Sequence, residues 1–326
     1  MAIKGTGTKQ DPILVTELDA EEVPPELKPE NFFDLETYPF EHRALVDGAR
    51  SVVDIIGKNG IEKYATEWLA EKVRSAEGSG NVEERTGVPG IGKFKVLVEK
   101  GAVCEPLFVH GSLNGDGHTL YVAKDAKVVG AVIYLDSGDI YVGEETVVEP
   151  TAGVKGPTIF GKRNEIRQGA YLRGNIIIGS HQKQGDNAIR GELKNVLMMD
   201  EANFPHPSYL GDSVCGFATH FGNQATAANL GIIQGVRERD KRVNLKVEIN
   251  GKWYDLGGSK MGVVLGDRAQ LACESLTDPG TLLGPMCISY GLAYVKAGYY
   301  PSGTMFKTRS ERVVDTQEGV FDVEKL

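Results

Sequence analysis

Cysteine is scarce in this sequence, and its four residues are too widely spaced to form a Cys-x-x-Cys pair. The scarcity excludes a disulfide scaffold and a cysteine zinc site, so we expect reduced thiols. Basic residues are too few for a nucleic-acid or anionic-membrane partner, because 36 Lys and Arg stand against 45 Asp and Glu. The chain has no apolar run long enough to span a bilayer and no apolar leader core in residues 1–10. These absences predict a soluble, cytoplasmic protein.

Glycine, by contrast, is abundant, with 41 of 326 residues, which is nearly double its usual share of about 7%. Hydrophobic residues make up 41% of the chain, which is enough for a sizeable core. We therefore expect an ordered protein with an unusual number of tight turns.

A six-residue period runs through the middle of the chain, which is typical of a repeat protein. Nearly every position of this period is apolar. The first run is Val142, Val148, Val154, Phe160, Ile166, Leu172 and Ile178; the second is Leu265, Leu271, Thr277 and Leu283; a third holds Cys215 and Phe221.

Six residues match one short strand and its turn, with one apolar side chain per strand pointing into a narrow three-sided prism. Successive coils would then hydrogen-bond as parallel β-structure about 4.8 Å apart. We therefore predict a mainly β fold over residues 97–305, a left-handed parallel β-helix of hexapeptide repeats. Its handedness is an exception to the right-handed crossover rule. A β-sandwich with regular turns is the alternative.

The rest of the chain predicts smaller units. Residues 1–80 combine a Pro-rich extended arm with a hairpin of two amphipathic helices, over 41–58 and 61–78, as a small N-terminal helical domain. A Gly-rich linker follows at 81–96, and residues 306–326 form a C-terminal tail. The Asn250-Gly251 pair predicts a hairpin inserted into the β-helix at about 230–260. We expect this hairpin to leave the prism and to be dispensable for folding.

Polar motifs concentrate between residues 171 and 229. Glu192-x-Lys194 is followed after twelve residues by His206, which begins a His-x-x-Tyr-x-Gly-Asp sequence, and Asn229 comes 23 residues after His206. In this order and spacing the chain resembles the hexapeptide-repeat acyltransferases. The resemblance is to the acetyltransferase half of bacterial bifunctional N-acetylglucosamine-1-phosphate uridyltransferase and to the C-terminal domains of archaeal sugar-1-phosphate nucleotidylyltransferases. It does not cover the N-terminal third, which lacks the nucleotidyltransferase signature.

The resemblance implies that His206 is the general base that takes a proton from a sugar amine. An imidazole suits this task, because its ordinary pKa is about 6.5. Two prolines, Pro205 and Pro207, fix the backbone around it. The alternative is a structural histidine at a corner of the β-helix.

The resemblance also implies a binding role for several other residues. Arg173, Lys194 and Tyr209 would hold the sugar's 1-phosphate, and the alternative for the two cations is that they are solvated side chains. Glu192 and Asn229 would orient the sugar, although Asn229 is equally suited to an internal hydrogen-bond ladder. His220 stands at a position where the family has a substrate-binding asparagine.

Acetyl-CoA is the implied acyl donor, and acyl transfer requires no metal. Gly222, Asn223 and Asp267 lie in the implied CoA region, although the family has Gly-Ala-Gly-Thr at 222–225 and a serine at 267. Gly235 replaces a lysine of the family. The cations that follow and are suited to replace that lysine are Arg237, Arg239 and Lys241.

One further expectation comes from strand geometry. The step from Leu210 to Cys215 is five residues instead of six, which predicts a coil of 17 residues in place of 18. Counting 17 from His206 reaches Asn223, whose backbone would lie about 4.8 Å from the histidine backbone. The N–H of this segment is therefore the predicted donor to an oxyanion.

Together these features predict an acetyl-CoA-dependent N-acetyltransferase that acts on an amino-sugar 1-phosphate or a related nucleotide-sugar precursor. We expect a homotrimer with sites between subunits, and no nucleic-acid or membrane partner. The alternative is a non-catalytic sugar-phosphate-binding or trimerisation module that lacks a nucleotidyltransferase domain.

Overall fold

The computed structural model of the protein describes residues 5–86, 92–113, 117–183, 185, 188–231 and 238–308. Short parallel strands stack into a left-handed β-solenoid of about ten coils, and helices occur mainly in the N-terminal part. The predicted mainly β fold of hexapeptide repeats is confirmed. None of the helices in these ranges is long and apolar enough to cross a membrane.

The strands of the solenoid form three faces, which we call A, B and C. Face A contains Val103–Cys104, Lys127–Val128, Val147–Val148, Glu165–Ile166, Ala188–Ile189, His220–Phe221, Gln270–Leu271, Ile288–Ser289 and Met305–Phe306. Face B contains Phe108–His110, Val132–Tyr134, Gly153–Lys155, Tyr171–Leu172, Thr226–Ala227, Leu276–Thr277 and Tyr294–Val295. Face C contains Phe94–Glu99, His118–Val122, Ile140–Val142, Thr158–Phe160, Ile176–Ile178, Val263–Leu265, Thr281–Leu283 and Gly298–Tyr300.

Two long strands, Glu192–Met198 and Tyr209–Cys215, run from face B into face C. The first half of Glu192–Met198 pairs with Tyr171–Leu172 of face B, and its second half pairs with Ile176–Ile178 of face C. These two strands therefore place polar side chains at the corner between the two faces.

The interior of the prism holds the side chains of the six-residue period. All seven members of the first run and all four of the second are buried. Parallel pairing aligns them, because Val148 pairs with Ile166 and Val154 with Leu172. Each fully buried side chain of this kind stabilises the fold by about 1.5–3 kcal/mol, so the repeated pattern accounts for the core.

The N-terminal residues cover face C. Outward side chains on this face are apolar but buried, including Ile159, Ile177 and Val264, each with 0% exposure. They join Leu27 and Phe32 of the N-terminal segment in a second hydrophobic core. Face C is therefore occupied by the chain's own N-terminal part.

Three α-helices lie in this cover: α1 (Arg43–Asp47), α2 (Val52–Ile56) and α3 (Ile61–Ala76). The single helix predicted over 41–58 is wrong. The chain forms two short helices because Asp54 Oδ2 accepts a hydrogen bond from the Ser51 N–H at 3.3 Å and begins a new helix there. The segment predicted as an extended arm contains the 3-10 helices Val15–Glu17, Pro25–Leu27 and Pro29–Asn31.

The segment predicted as a linker contains the strand Val82–Thr86, which pairs antiparallel with Phe94–Glu99. Most of the predicted C-terminal tail lies outside the described residues, as does part of the 230–260 insertion. The division of the chain at residues 80, 96 and 305 stays a prediction.

The inserted hairpin consists of the antiparallel strands Lys246–Ile249 and Lys252–Asp255. Both residues of its Asn250-Gly251 turn have positive φ, 50° and 77°, as a type I′ turn requires. The hairpin is not a free loop, because Ile13–Leu14 adds a third strand to it and Val247 and Ile249 are buried in the second core. The hairpin therefore carries part of the packing between the N-terminal cover and the solenoid.

Candidate active site

Face B carries a row of polar side chains in successive coils. Glu192 pairs in register with Tyr171 on one side and with Tyr209 on the other. The Arg173 guanidinium donates to Glu192 Oε1 at 2.5 Å from the neighbouring coil. Parallel pairing thus brings together predicted site residues that are far apart in the sequence.

Lys194 and Asn229 extend this row. Lys194 pairs with Gly211 in the next coil. A Cβ atom at Gly211 would overlap the Tyr209 hydroxyl and lie 2.8 Å from Asn229 Nδ2. The glycine therefore leaves room for both polar groups, and five of the predicted substrate-binding residues form one cluster.

The Tyr209 phenol is a hydrogen-bond donor at neutral pH. Burial raises its pKa, and the negative charges of Asp212 and Glu192 raise it further, while Arg173 and a hydrogen bond with Asn229 oppose these effects. A protonated phenol suits recognition of an anionic oxygen beside the two cations.

Asp212 organises the corner between faces B and C. Its Oδ1 accepts a hydrogen bond from Asn195 Nδ2 at 2.9 Å, and its Oδ2 accepts one from Asn229 Nδ2 at 2.6 Å. Asn195 Nδ2 also donates to the Ile56 carbonyl at 3.1 Å. Asn229 thus takes part in an internal ladder and also lies beside Tyr209, and this ladder ties the cluster to the N-terminal helices.

His206 lies in the turn from face A to face B, and His220 begins the face A strand of the next coil. His206 is half-buried. Burial lowers the pKa of His220, and the nearby His206 lowers it further. His220 Nδ1 lies 2.5 Å from Asn203 Oδ1, and the two residues form a parallel bridge. Since a carbonyl oxygen accepts, Nδ1 of His220 carries the proton and its Nε2 is an acceptor.

Sequence reasoning missed Asn203 as a partner of His220. The signal was present, because the two residues are separated by the same 17 positions as the pairs Glu192–Tyr209 and Leu210–Ala227. These pairs confirm the predicted 17-residue coil. His206 and Asn223 both lie in turns outside these pairs, so their position one coil apart stays a prediction.

Some backbone groups of the Gly222-Asn223 corner already form hydrogen bonds within the solenoid. The Gly222 N–H donates to the Leu271 carbonyl at 2.7 Å, and the Asn223 carbonyl accepts from the Glu274 N–H at 2.8 Å. A Cβ at Gly222 would lie 2.5 Å from the backbone nitrogen of Cys273, so close packing between coils requires this glycine. The Asn223 N–H is therefore the donor to consider for an oxyanion.

Asp267 does not lie with the polar row of face B. Its Oδ2 accepts from the Asp34 N–H at 2.7 Å, and its Oδ1 accepts from the Phe217 N–H at 2.8 Å. The side chain is buried, with 5% exposure, and burial raises its pKa. Oδ2 thus anchors the N-terminal segment to the solenoid and Oδ1 joins two coils of the solenoid, which favours a structural role over the CoA contact that the resemblance implies.

Of the cations expected from the insertion, Arg237 lies outside the described residues, as does Gly235. Arg239 and Lys241 lie in the 3-10 helix Arg239–Lys241, and Lys241 forms an ion pair with Glu238.

Sequence reasoning missed Lys260, which directly precedes the point where the repeat resumes. Within the described ranges, no group of three or more His, Cys, Asp or Glu is arranged to hold a metal ion.

Comparison with known proteins supports the resemblance over part of the chain. No protein-family model matches. Over 180 residues the chain is 30% identical to a bifunctional sugar-1-phosphate nucleotidylyltransferase/acetyltransferase of Sulfurisphaera tokodaii, covering 49% of this chain and 41% of that protein.

Two further relatives are named bifunctional protein GlmU. The one from Methanococcus maripaludis is 28% identical over 202 residues, which cover 59% of this chain and 46% of the relative. The one from Methanocaldococcus jannaschii is 31% identical over 118 residues, which cover 36% of this chain and 26% of the relative. The matched region thus spans less than half the length of these curated relatives.

Proposed function

We propose that this protein is an acetyltransferase that moves an acetyl group from acetyl-CoA to the amine of an amino-sugar 1-phosphate. The observation that carries the proposal is the polar cluster of face B, with its cations beside a protonated phenol, on a solenoid of hexapeptide repeats. The name of the Sulfurisphaera tokodaii relative includes an acetyltransferase and a sugar-1-phosphate. A nucleotide-sugar precursor is a related acceptor of the same chemistry.

Each residue of the cluster has a role in this proposal. Lys194 and Arg173 bind the phosphate dianion, and Tyr209 donates a hydrogen bond to one of its oxygens. Glu192 holds the Arg173 guanidinium through their ion pair. Asn229 orients a sugar hydroxyl while Asp212 holds its amide.

The proposed reaction is a nucleophilic addition followed by elimination. The acceptor amine attacks the thioester carbonyl of acetyl-CoA and forms the new C–N bond, while His206 takes a proton from the nitrogen. The Asn223 N–H donates to the oxyanion that forms. The C–S bond then breaks, and the CoA thiolate takes up the proton as the thiol. His220, whose pKa is lowered by burial and whose ring is oriented by Asn203, lies near His206.

A non-catalytic sugar-phosphate-binding module is the second candidate function. The observations that favour it are the exposed Asn223 and Gln224 side chains at the implied CoA corner and the commitment of Asp267 to backbone amides. Both features remove contacts that CoA would use in the resembling family.

The two functions separate in one experiment on the full chain. Acetyl transfer is measured with acetyl-CoA and glucosamine 1-phosphate, and binding of each compound is measured by isothermal titration calorimetry. We expect binding of both compounds and release of free CoA thiol. Binding of the sugar phosphate without binding of acetyl-CoA would overturn the acetyltransferase and support the binding module.

A further inference from the structure

The inserted segment returns to the solenoid next to the point where it leaves. The Met261 N–H donates to the Asn229 carbonyl at 3.0 Å, and the Gly262 N–H donates to the Asp212 carbonyl at 2.7 Å. These hydrogen bonds place Lys260 directly beside the Asp212–Asn229 ladder. The lysine is 31 positions from Asn229 in sequence but adjacent to it in space.

Positive charge accumulates around Lys260. Burial lowers the pKa of its ammonium group, and the cations Lys194, Arg242 and Arg239 lower it further, while Asp212 opposes them. The two Asp212 oxygens already accept hydrogen bonds from Asn195 and Asn229. Neither Lys194 nor Lys260 forms an ion pair with a described carboxylate, so two like charges face the same region.

A cavity of about 500 Å³ opens beside this cluster. Lys260 and Gly258 line one side, and the loop 57–60 between α2 and α3 lines the other. Lys260 is the lining residue that this cavity shares with the polar corner, since Lys194, Asp212 and Asn229 do not line it. Its volume is within the usual range of small-molecule sites.

We propose that Lys260 is a phosphate-binding residue of the acceptor site, acting with Lys194. An anion between the two ammonium groups relieves their mutual repulsion and replaces the carboxylate partner that neither lysine has among the described residues. The inference rests on the proposed function for the identity of the acceptor, a sugar phosphate.

The test uses the full chain with inorganic phosphate and glucosamine 1-phosphate as probes in calorimetric titrations at low salt. Lys260→Gln removes the charge and Lys260→Arg retains it. Lys252→Gln, on the inserted hairpin, is the matched control, and a thermal melt of each variant checks folding. We expect Lys260→Gln to weaken both probes by about tenfold, as loss of one charge-assisted hydrogen bond would. Lys260→Arg and Lys252→Gln should remain close to the unaltered chain.

Equal affinity of Lys260→Gln and the unaltered chain for both probes would overturn the inference. So would a loss of affinity that Lys252→Gln reproduces. Failure of the proposed function gives a different result: binding of both probes depends on Lys260, but acetyl-CoA and glucosamine 1-phosphate yield no product.

Discussion

His206 and Lys194 belong to opposite ends of the candidate site, and at the scale of single residues they should affect different kinetic constants. A general base acts in the transition state, so we expect His206→Ala to lower kcat by about 10²- to 10⁴-fold with little change in melting temperature. A phosphate ligand also binds the ground state, so Lys194→Ala should mainly raise KM for the acceptor. Steady-state acetyl transfer measures both constants.

The matched control for His206 is His118→Ala, since His118 lies half-exposed on face C in an early coil. Near-normal turnover of His206→Ala would leave that histidine as a structural corner residue. A large loss of stability in the same variant would point to the same conclusion.

Asp267 offers a test between a structural and a CoA-binding role. Asp267→Ala leaves the partly buried N–H groups of Asp34 and Phe217 without their acceptor, so we expect the free energy of unfolding to fall by about 1–3 kcal/mol. Urea unfolding measures this loss, and Asp240→Ala, at an exposed position, is the control. An unchanged unfolding curve with weaker acetyl-CoA binding would instead support the CoA contact.

At the scale of elements, the N-terminal cover depends on aromatic packing around a buried histidine. The His42 ring packs against Phe40, Tyr64 and Trp68 with centroid distances of 5.4, 5.7 and 5.0 Å. Burial lowers the pKa of His42 to about 4. The helices of the cover therefore pack around a neutral imidazole.

Acidification should destabilise the fold through His42. Between pH 6.5 and 4 the unfolded chain binds a proton at this residue that the folded chain excludes, so stability falls as the pH is lowered through this window. Buried His181, with a pKa of about 4, acts in the same direction, whereas Asp200, with its pKa raised to about 6, acts in the opposite one.

Urea unfolding at pH 7 and pH 4.5 measures the effect in the unaltered chain and in His42→Phe. We expect the substitution to reduce the pH dependence of the unfolding free energy by roughly 2–3 kcal/mol. The same slope in both chains would contradict the assignment.

At the scale of the whole molecule, the cover on face C leaves faces A and B for contacts between copies. Exposed apolar side chains lie on both, with Leu276 and Tyr294 on face B and Ile288 and Met305 on face A. We propose that these faces form a trimer that places the polar row of face B between subunits, as the resemblance implies.

Light scattering after size exclusion should give three times the chain mass of 35.3 kDa. Ile288→Arg and Tyr294→Arg together should shift the mass to that of one chain, because they place charge in an apolar interface. Lys252→Glu is the control for a charge change on the inserted hairpin. A monomer at micromolar concentration for the unaltered chain would overturn both the trimer and a site between subunits.

The solenoid and much of its polar cluster were predictable because their signals are local and repeated. One apolar residue in every six directs a side chain into the prism, so the period alone predicts the core from Val142 to Ile178. A five-residue step predicts the 17-residue coil. The cluster of Lys194, Tyr209 and Asn229 is implied by the family resemblance, and the parallel pairing of Lys194 with Gly211 brings its members together.

The packing of the N-terminal part onto face C was beyond sequence reasoning. Its apolar residues indicate that it packs against something, but burial is non-directional, so the pattern does not say against which surface. The roles of Asp267 and Lys260 follow from that packing and from the return of the insertion, which join residues whose separation obeys no period. Repetition therefore reveals contacts between successive coils, whereas contacts that occur once depend on the complete shape of the folded chain.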